Sequence, residues 1–454
     1  MATHTHTIFA KASGAGKAGV AVYRLSGPES SSIAGRLVGK RTKPREAALA
    51  AIRDPYDHAL IDRGLVLLFP APASYTGEDV AEFHLHGSRA VEIALYEALT
   101  RLGARPAEAG EFTLRALKNG KLDLAQAEAL ADLIDSETTL QRKQALGQLD
   151  GRLSAVAEDW RARLLAVMAP LEADIDFPDE GDVPAAVAAR AGPAIAALNK
   201  ELTSYLAASG RARTIREGVA VAVIGPPNAG KSSLVNALAG SEVAIVSSTA
   251  GTTRDIVETR LDLGGVAATV ADTAGLRGQT DDAIEEEGMR RARARAHAAH
   301  VRVAVLDPRA DYVSRETLAL LRPGDFLLWS MADLRPAIPR QGGALFPQSI
   351  PDGVTALSVS PKTGLGLDVF VHALTQAVAA QGDGDEPALT RARHVSAVEE
   401  ALAALERAGA RIETAPELAA EDARLAARAL GSITGAVGVE DVLGEIFSSF
   451  CIGK

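Results

Sequence analysis

The chain of 454 residues holds one cysteine, Cys451, so no disulfide forms within it, and such sparing thiol use suits a reducing, cytoplasmic compartment. No apolar run is long enough to span a bilayer. The start, Met1-Ala2-Thr3-His4-Thr5-His6, lacks the basic and apolar regions of a signal peptide. Positive charge is not in excess either. A net charge of −10 excludes a protein coated in basic surface for nucleic acid. The densest basic patch, Arg290, Arg291, Arg293 and Arg295, reads as a solvated helix face. His84 and His86 alternate on one strand face, but two ligands without a third do not define a metal site. With 47% apolar residues the chain has ample core for roughly two to four domains. The expectation is a large soluble enzyme.

What the chain does contain is a phosphate-binding pattern. Gly225-Pro226-Pro227-Asn228-Ala229-Gly230-Lys231-Ser232 fills G-x-x-x-x-G-K-[ST] at each fixed position. Residues 219–224 before it read as a buried strand, and 233–238 after it as the first turns of a helix. Such a turn aims backbone N–H groups and the positive end of the helix at phosphates, while Lys231 reaches the outer phosphates and Ser232 ligates Mg²⁺. Asp272-Thr273-Ala274-Gly275 follows the apolar run 267–271, as befits an Asp that holds Mg²⁺ through water and a glycine N–H that senses the γ-phosphate. Between them, Gly251-Thr252-Thr253-Arg254-Asp255 offers a Thr oxygen to complete the metal shell from a switch loop. Three such elements in this order point to a GTPase.

The base site departs from the pattern. Asn-Lys-x-Asp is expected after the next strand, and after residues 326–329 the chain reads Ser330-Met331-Ala332-Asp333. Asp333 keeps the carboxylate that accepts the two donors on guanine's Watson–Crick edge. The missing Asn and Lys would have braced the phosphate loop and covered the base; Met331 still offers an apolar stem to the ring. Guanine binding is therefore expected to be weakened but still selective. Ser360-Pro361-Lys362-Thr363-Gly364 stands where a base-contacting loop belongs.

Composition divides the chain into zones. Residues 1–118 alternate β-rich runs (20–25, 65–69) with one helix over 89–102 and read as an α/β domain. Residues 119–216 turn helical, with Asp123 and Gln126 as a capped start and a break at Phe177-Pro178-Asp179-Glu180-Gly181. Residues 217–378 form the nucleotide domain. A charged, Gly-rich linker at 381–387 leads into residues 379–454, where helices resume: Thr414 with Glu417 looks like a capping box, and Val439, Val442, Leu443, Ile446, Phe447 and Phe450 share one face of the last helix. The GTPase zone thus reads as inserted into a helical domain, which suggests that nucleotide state levers the helical halves.

Ser74-Tyr75-Thr76-Gly77-Glu78-Asp79, residues 121–129, Asp176-Phe177-Pro178-Asp179-Glu180, the GTPase motifs and the terminal Phe450-Cys451-Ile452-Gly453-Lys454 together closely resemble one family, the bacterial tRNA-modification GTPase MnmE (TrmE). The resemblance runs the length of the chain. It implies an N-terminal α/β folate-binding domain that also dimerises, an all-helical middle domain and an inserted Ras-like P-loop GTPase domain. It implies a K⁺-stimulated GTPase that works with an FAD-containing partner, MnmG, in a heterotetramer. Together they would place an aminomethyl or carboxymethylaminomethyl group on carbon 5 of the tRNA wobble uridine, with a 5-formyl- or methylene-tetrahydrofolate as one-carbon donor.

The family's functional positions carry over by motif. For GTP they are Asn228, Ala229, Gly230, Lys231, Ser232, Ser233, Ser247, Thr252, Thr253, Asp272, Thr273, Ala274, Gly275, Asp333, Ser360, Pro361 and Lys362. For folate they are Arg24, Glu82, Lys121 and Lys454, a chemistry in which a carboxylate accepts pterin donors and cations suit the glutamate tail. Leu276 follows Gly275 where many GTPases carry a water-orienting Gln. The resemblance fills that role with K⁺, held by Asn228, Ser247, Thr249 and Thr252, and with Glu285; Ser232 and Thr253 hold Mg²⁺. Cys451 has two readings, a small buried hydrophobe or a nucleophile. The alternative function is a nucleotide-driven assembly or signalling switch whose first domain is only a dimerisation scaffold.

Overall fold

The structure, a computed structural model, describes residues 6–176, 184–245, 258–272, 290, 293–307, 309, 315–334, 350–379, 389–437, 440–448, 450, 452 and 453. It is mixed α/β with many helices. The chain divides into two compact units, one of residues 1–131, 148–199 and 397–454, the other of residues 132–147 and 200–396. Among the described residues, no helix is long and apolar enough to cross a membrane.

The first unit is built on β1 (Ile8–Lys11), β2 (Ala18–Ser26), α1 (Ser30–Val38), β3 (Ala48–Arg53), β4 (Leu60–Phe69), β5 (Val80–Gly87), α2 (Arg89–Arg101), β6 (Arg105–Pro106) and α3 (Glu111–Lys118). Its sheet runs β3-β4-β5-β2-β1-β6, antiparallel except for the β1/β6 pair. Alternation along β2 decides the faces. Tyr23 and Leu25 join Phe9, Phe83 and Leu85 under α1 and α2, whose Ile33, Leu37, Leu95 and Leu99 complete that core. The opposite face carries Ile8, Ala10 and Phe112 in a smaller cluster with Tyr75. Arg24 belongs to this second face, since it is the register partner of Ala10 on one side and of Glu82 on the other.

Helices α4 (Leu124–Asp135), α5 (Thr139–Leu149), α6 (Arg152–Asp176) and α7 (Pro184–Glu217) follow. The expected cap of α4 is present in both directions: Asp123 N–H donates to Gln126 Oε1 at 3.0 Å and Gln126 N–H to Asp123 Oδ1 at 2.8 Å. Arg105 and Arg115 enclose Glu111 at 2.6 and 2.8 Å, and Arg115 also reaches Glu78 at 2.9 Å.

In the second unit β7 (Val219–Ile224), α8 (Lys231–Ala239), β8 (Glu258–Leu263), β9 (Val266–Asp272), β10 (Val301–Leu306), α9 (Arg315–Ala319), β11 (Phe326–Trp329), β12 (Thr355–Ser358) and α10 (Leu367–Ala379) form a sheet of order β12-β11-β10-β7-β9-β8. All its pairs are parallel except the β8/β9 edge. The central strands read as near-continuous apolar runs because both faces are covered, by the core around Val221, Leu234 and Phe370 on one and that around Ile224, Ala299 and Trp329 on the other. Residues 132–147 belong to this unit through charge. Asp132 meets Arg391 at 2.6 Å and Arg216 at 3.6 Å, and Glu137 meets Arg260 at 2.6 Å. Arg293 of the basic patch is exposed and pairs with Glu316 at 2.8 Å.

The chain closes with α11 (Ala392–Arg411), α12 (Pro416–Thr434) and α13 (Glu440–Ser448). In the first unit α12 packs on α6, burying Ala419, Ala423, Ala426, Leu430 and Ile433 at helical spacing beside the fully buried Trp160. The expected Thr414–Glu417 capping box does not form. Pro416 takes the first turn, so the N-cap is Ala415, with no side-chain cap, and Thr414 stands one residue too early. The breaks expected at 177–181 and 381–387 lie outside the described residues.

Candidate functional site

Parallel pairing brings the carboxyl ends of β7, β9, β11 and β12 to one edge of the sheet, where an open α/β sheet takes its ligand. The loop after β7 is shaped by residues that tolerate left-handed backbone. Gly225 has φ 143, and a Cβ there would fall 2.2 Å from the Val305 carbonyl oxygen, so only glycine fits. Asn228 and Gly230 follow at φ 61 and 99, and α8 begins at Lys231 rather than at the expected residue 233. Lys231 is buried, its ammonium donating to the carbonyls of Gly225 at 2.9 Å and Pro226 at 2.8 Å. The ammonium is therefore held across the mouth of the loop. Ala229 is buried beneath, while Ser232 and Ser233 are exposed on the first turn of α8. A phosphate entering here meets a cation, a helix N-terminus and two hydroxyls.

The loop after β11 corrects one expectation. The brace assigned to a missing Asn is supplied by Ser330, whose buried hydroxyl donates to the Ala229 carbonyl at 2.5 Å and lies 3.2 Å from that of Leu306. A hydroxyl suffices because the two loops approach closely: a Cβ built on Gly230 would lie 3.4 Å from the Ser330 side chain. Met331 follows in left-handed backbone at φ 55. Asp333 is exposed, and its Oδ1 accepts from the buried Ser360 hydroxyl at 2.6 Å. Ser360 is itself fixed, donating its N–H to Leu365 and accepting from Gly364 at its carbonyl. Pro361 and Lys362 continue this loop, Lys362 exposed. One carboxylate oxygen of Asp333 is thus oriented by Ser360, on the loop that Ser330 ties to the phosphate loop.

Asp272 ends β9, opposite Val223 of β7 in register. Ser247, Thr249, Thr252, Thr253, Thr273, Ala274, Gly275, Glu285, Cys451 and Lys454 lie outside the described residues. Among the described residues no group of three or more His, Cys, Asp or Glu is placed to hold a metal.

In the first unit two of the folate-matching residues, Arg24 and Glu82, meet on the sheet face away from α2. Arg24 Nε pairs with Glu82 at 2.9 Å, and the guanidinium stands 5.1 Å from the Tyr75 ring centroid and 5.8 Å from that of Phe112. Neither ring drew notice in the sequence, although Tyr75 lies inside a segment that carried the family resemblance. Lys121 Nζ donates to the Pro72 carbonyl at 3.0 Å, its stem against Gly77. His84 leans on Glu82 at 3.4 Å, and His86 on Asp62 at 2.9 Å. The C-terminal tail docks nearby. Phe447 and Phe450 anchor it among Ala127, Leu114 and Leu117, Ile452 bridges Ala109, and a Cβ on Gly453 would fall 2.1 Å from the Lys11 carbonyl oxygen.

A glycine-rich loop and helix at the carboxyl edge of a parallel sheet, with an oriented Asp beside it, define a P-loop nucleotide hydrolase of the Ras-like kind. Known proteins narrow the class. The sequence profile described as "MnmE helical domain" matches residues 124–451, and that described as "GTP-binding protein TrmE N-terminus" matches residues 7–121. A protein of Parvibaculum lavamentivorans named tRNA modification GTPase MnmE is 51% identical over 453 residues, covering 99% of this chain and 100% of that one. Its namesake in Caulobacter vibrioides is 49% identical over 451 residues, with 99% and 100% covered. Among solved structures, the G domain of the T. maritima FeoB iron transporter aligns with 36% of this chain and 98% of its own at 24% identity and a TM-score of 0.26. The chain belongs to the MnmE family of tRNA modification GTPases.

Proposed function

We propose that this chain, whose relatives are named tRNA modification GTPases, hydrolyses GTP in order to modify carbon 5 of the tRNA wobble uridine. The assembled nucleotide site carries the reading. Lys231 is held at the loop mouth, Ser330 ties the base loop to the phosphate loop, and Asp333 is oriented by Ser360. In this reading Lys231 and the N–H groups of α8 neutralise the outer phosphates, and Ser232 and Thr253, with Asp272 through water, would hold Mg²⁺, which would stabilise charge on the transferring phosphoryl group. Asn228, Ser247, Thr249 and Thr252 would hold K⁺ in place of an arginine finger, and Glu285 would orient the attacking water.

The first unit supplies the second half of the reaction. Glu82 would accept from the donors of a pterin ring, Arg24 and Lys121 would take the folate tail, and Cys451 and Lys454 of the chain's last residues would complete the site. The working partners are GTP, tRNA, a second copy of the chain and the FAD-containing MnmG, in the cytoplasm. The working domains are 1–118, 119–216, 217–378 and 379–454.

Two measurements test this. Mass analysis of wobble uridines in cells lacking the protein should show the 5-substituent gone; unchanged uridines would end the proposal. Exchange of K⁺ for Na⁺ should slow GTP hydrolysis at least about tenfold with nucleotide binding retained. Hydrolysis indifferent to the cation would remove the K⁺ assignment. A switch with a scaffold-like first domain would leave the full-length chain without folate binding.

A further inference from the structure

The face of the first sheet opposite Arg24 carries a cleft of about 700 Å³ that the proposed reaction does not use. It opens between the β1–β2 loop and the start of α2, and Lys11, Lys17, His86, Ser88, Arg89 and Glu92 are among its walls. Lys11 is already neutralised by Glu92 at 3.3 Å, and His86 Nδ1 lies 2.9 Å from Asp62. Lys17 and Arg89 are exposed, and neither has an ion-pair partner among the described residues. In a chain of net charge −10, two uncompensated cations facing one cavity are a local departure.

The β1–β2 loop also suits an anion. The loop over residues 13–19 reads Ser-Gly-Ala-Gly-Lys-Ala-Gly, and a Cβ on Gly14, Gly16 or Gly19 would meet nothing within 4 Å, so its backbone is open to close approach. Ser13 anchors it by accepting from the Val22 N–H at 3.1 Å.

We propose that this cleft binds backbone phosphates of the tRNA, with Lys17 and Arg89 as the charged contacts. The assignment rests on the tRNA-modification reading above. A phosphodiester presents two acceptor oxygens and one negative charge, which a guanidinium fork and an ammonium match, and an open cleft admits a polymer that passes through it.

The test measures binding of unmodified tRNA to the full-length chain across a series of KCl concentrations. The Lys17→Gln/Arg89→Gln protein should bind at least about tenfold more weakly at low salt, and its slope of log affinity against log salt should flatten by about 1 to 2, one per lost phosphate contact. Arg142→Gln/Lys143→Gln, the same charge change on an exposed stretch of α5, should leave both unchanged. Equal melting temperatures exclude misfolding. Unaltered affinity and slope in the Lys17/Arg89 variant overturn the proposal. If inorganic phosphate raises the melting temperature of the parent but not of the variant while both bind tRNA alike, the cleft takes a small phosphate instead. If cells lacking the protein keep their wobble modification, the functional reading has failed; if they lose it and the variant binds tRNA normally, only the cleft assignment has.

Discussion

The nucleotide loop and the Arg24 region both offer a cation to a ligand, but they keep it in opposite ways. Lys231 rests on two backbone carbonyls, which orient the ammonium without cancelling its charge. Arg24 is neutralised by Glu82 and backed by two aromatic rings. The first site is therefore primed for anions of high charge, and its affinity is electrostatic. The second presents a nearly neutral, flat surface, which favours a ring with a few directed hydrogen bonds. A change that affects one site and spares the other sharpens this contrast.

The largest such effect should come from deleting residues 451–454. The tail is packed by Phe447 and Phe450 and threaded past Lys11 by Gly453, all within the first unit. Wobble-uridine modification should be lost, while GTP hydrolysis persists because the nucleotide loop lies in the other unit. Full modification by the truncated protein would refute the tail's role. Cys451→Ser separates its two readings: partial modification favours a packed thiol, and complete loss in a stably folded protein favours a nucleophile.

Acid should also distinguish the regions. Burial alone would raise the Glu111 pKa, but hydrogen bonds from Arg105, the Glu108 N–H and Arg115 outweigh it and hold the carboxyl at about 2, below its ordinary 4.5. A depressed folded-state pKa contributes stability that is complete above the ordinary value and is lost as pH falls toward 2. The contribution is on the order of 3 kcal/mol. Denaturant titrations between pH 5 and about pH 2 should show the first unit weakening, and Glu111→Gln should flatten that dependence and lower stability near neutrality. A pH response unchanged in Glu111→Gln would mean that other carboxyls govern it.

The same contrast explains what the sequence revealed. Strand β7 is found at 219–224 and β11 at 326–329, as read, because buried parallel strands are contiguous apolar runs. The phosphate loop is likewise contiguous, its glycines required by local backbone shape. The Arg24 region is assembled from β2, β5, the loop at 72–78 and α3, so Tyr75 and Phe112 acquire their role only through the fold. The brace at Ser330 escapes the sequence for a related reason: whether a hydroxyl replaces an amide depends on how closely two loops approach, which spacing does not encode. The Thr414–Glu417 box failed on a local rule instead, Pro416 setting the helix start.

Asp333→Asn should affect the nucleotide region alone. Replacing the carboxylate with an amide puts a donor opposite a guanine donor, a loss of roughly 2 to 4 kcal/mol in a desolvated site. Xanthine nucleotides, with a carbonyl in that place, should now be preferred. In the parent, GTP should outcompete ATP, and equal affinities for the two would show that Asp333 does not read the base.

The smallest expected effect concerns Ser330. Ser330→Ala removes the hydroxyl that joins Ala229 to the base loop and leaves a buried carbonyl without its donor, at a cost of about 1 to 2 kcal/mol. Ala229 lies inside the phosphate loop, so GTP and GDP should weaken together by roughly 5- to 30-fold. Discrimination between GTP and ATP should survive, because the Asp333–Ser360 hydrogen bond is made on the other side of the loop. Equilibrium titration with GTP, GDP and ATP checks all three statements. If the variant binds GTP and GDP as the parent does, the bond to Ala229 is incidental and the base loop stands without it. If selectivity falls while overall affinity holds, Ser330 acts on the base rather than on the phosphate loop.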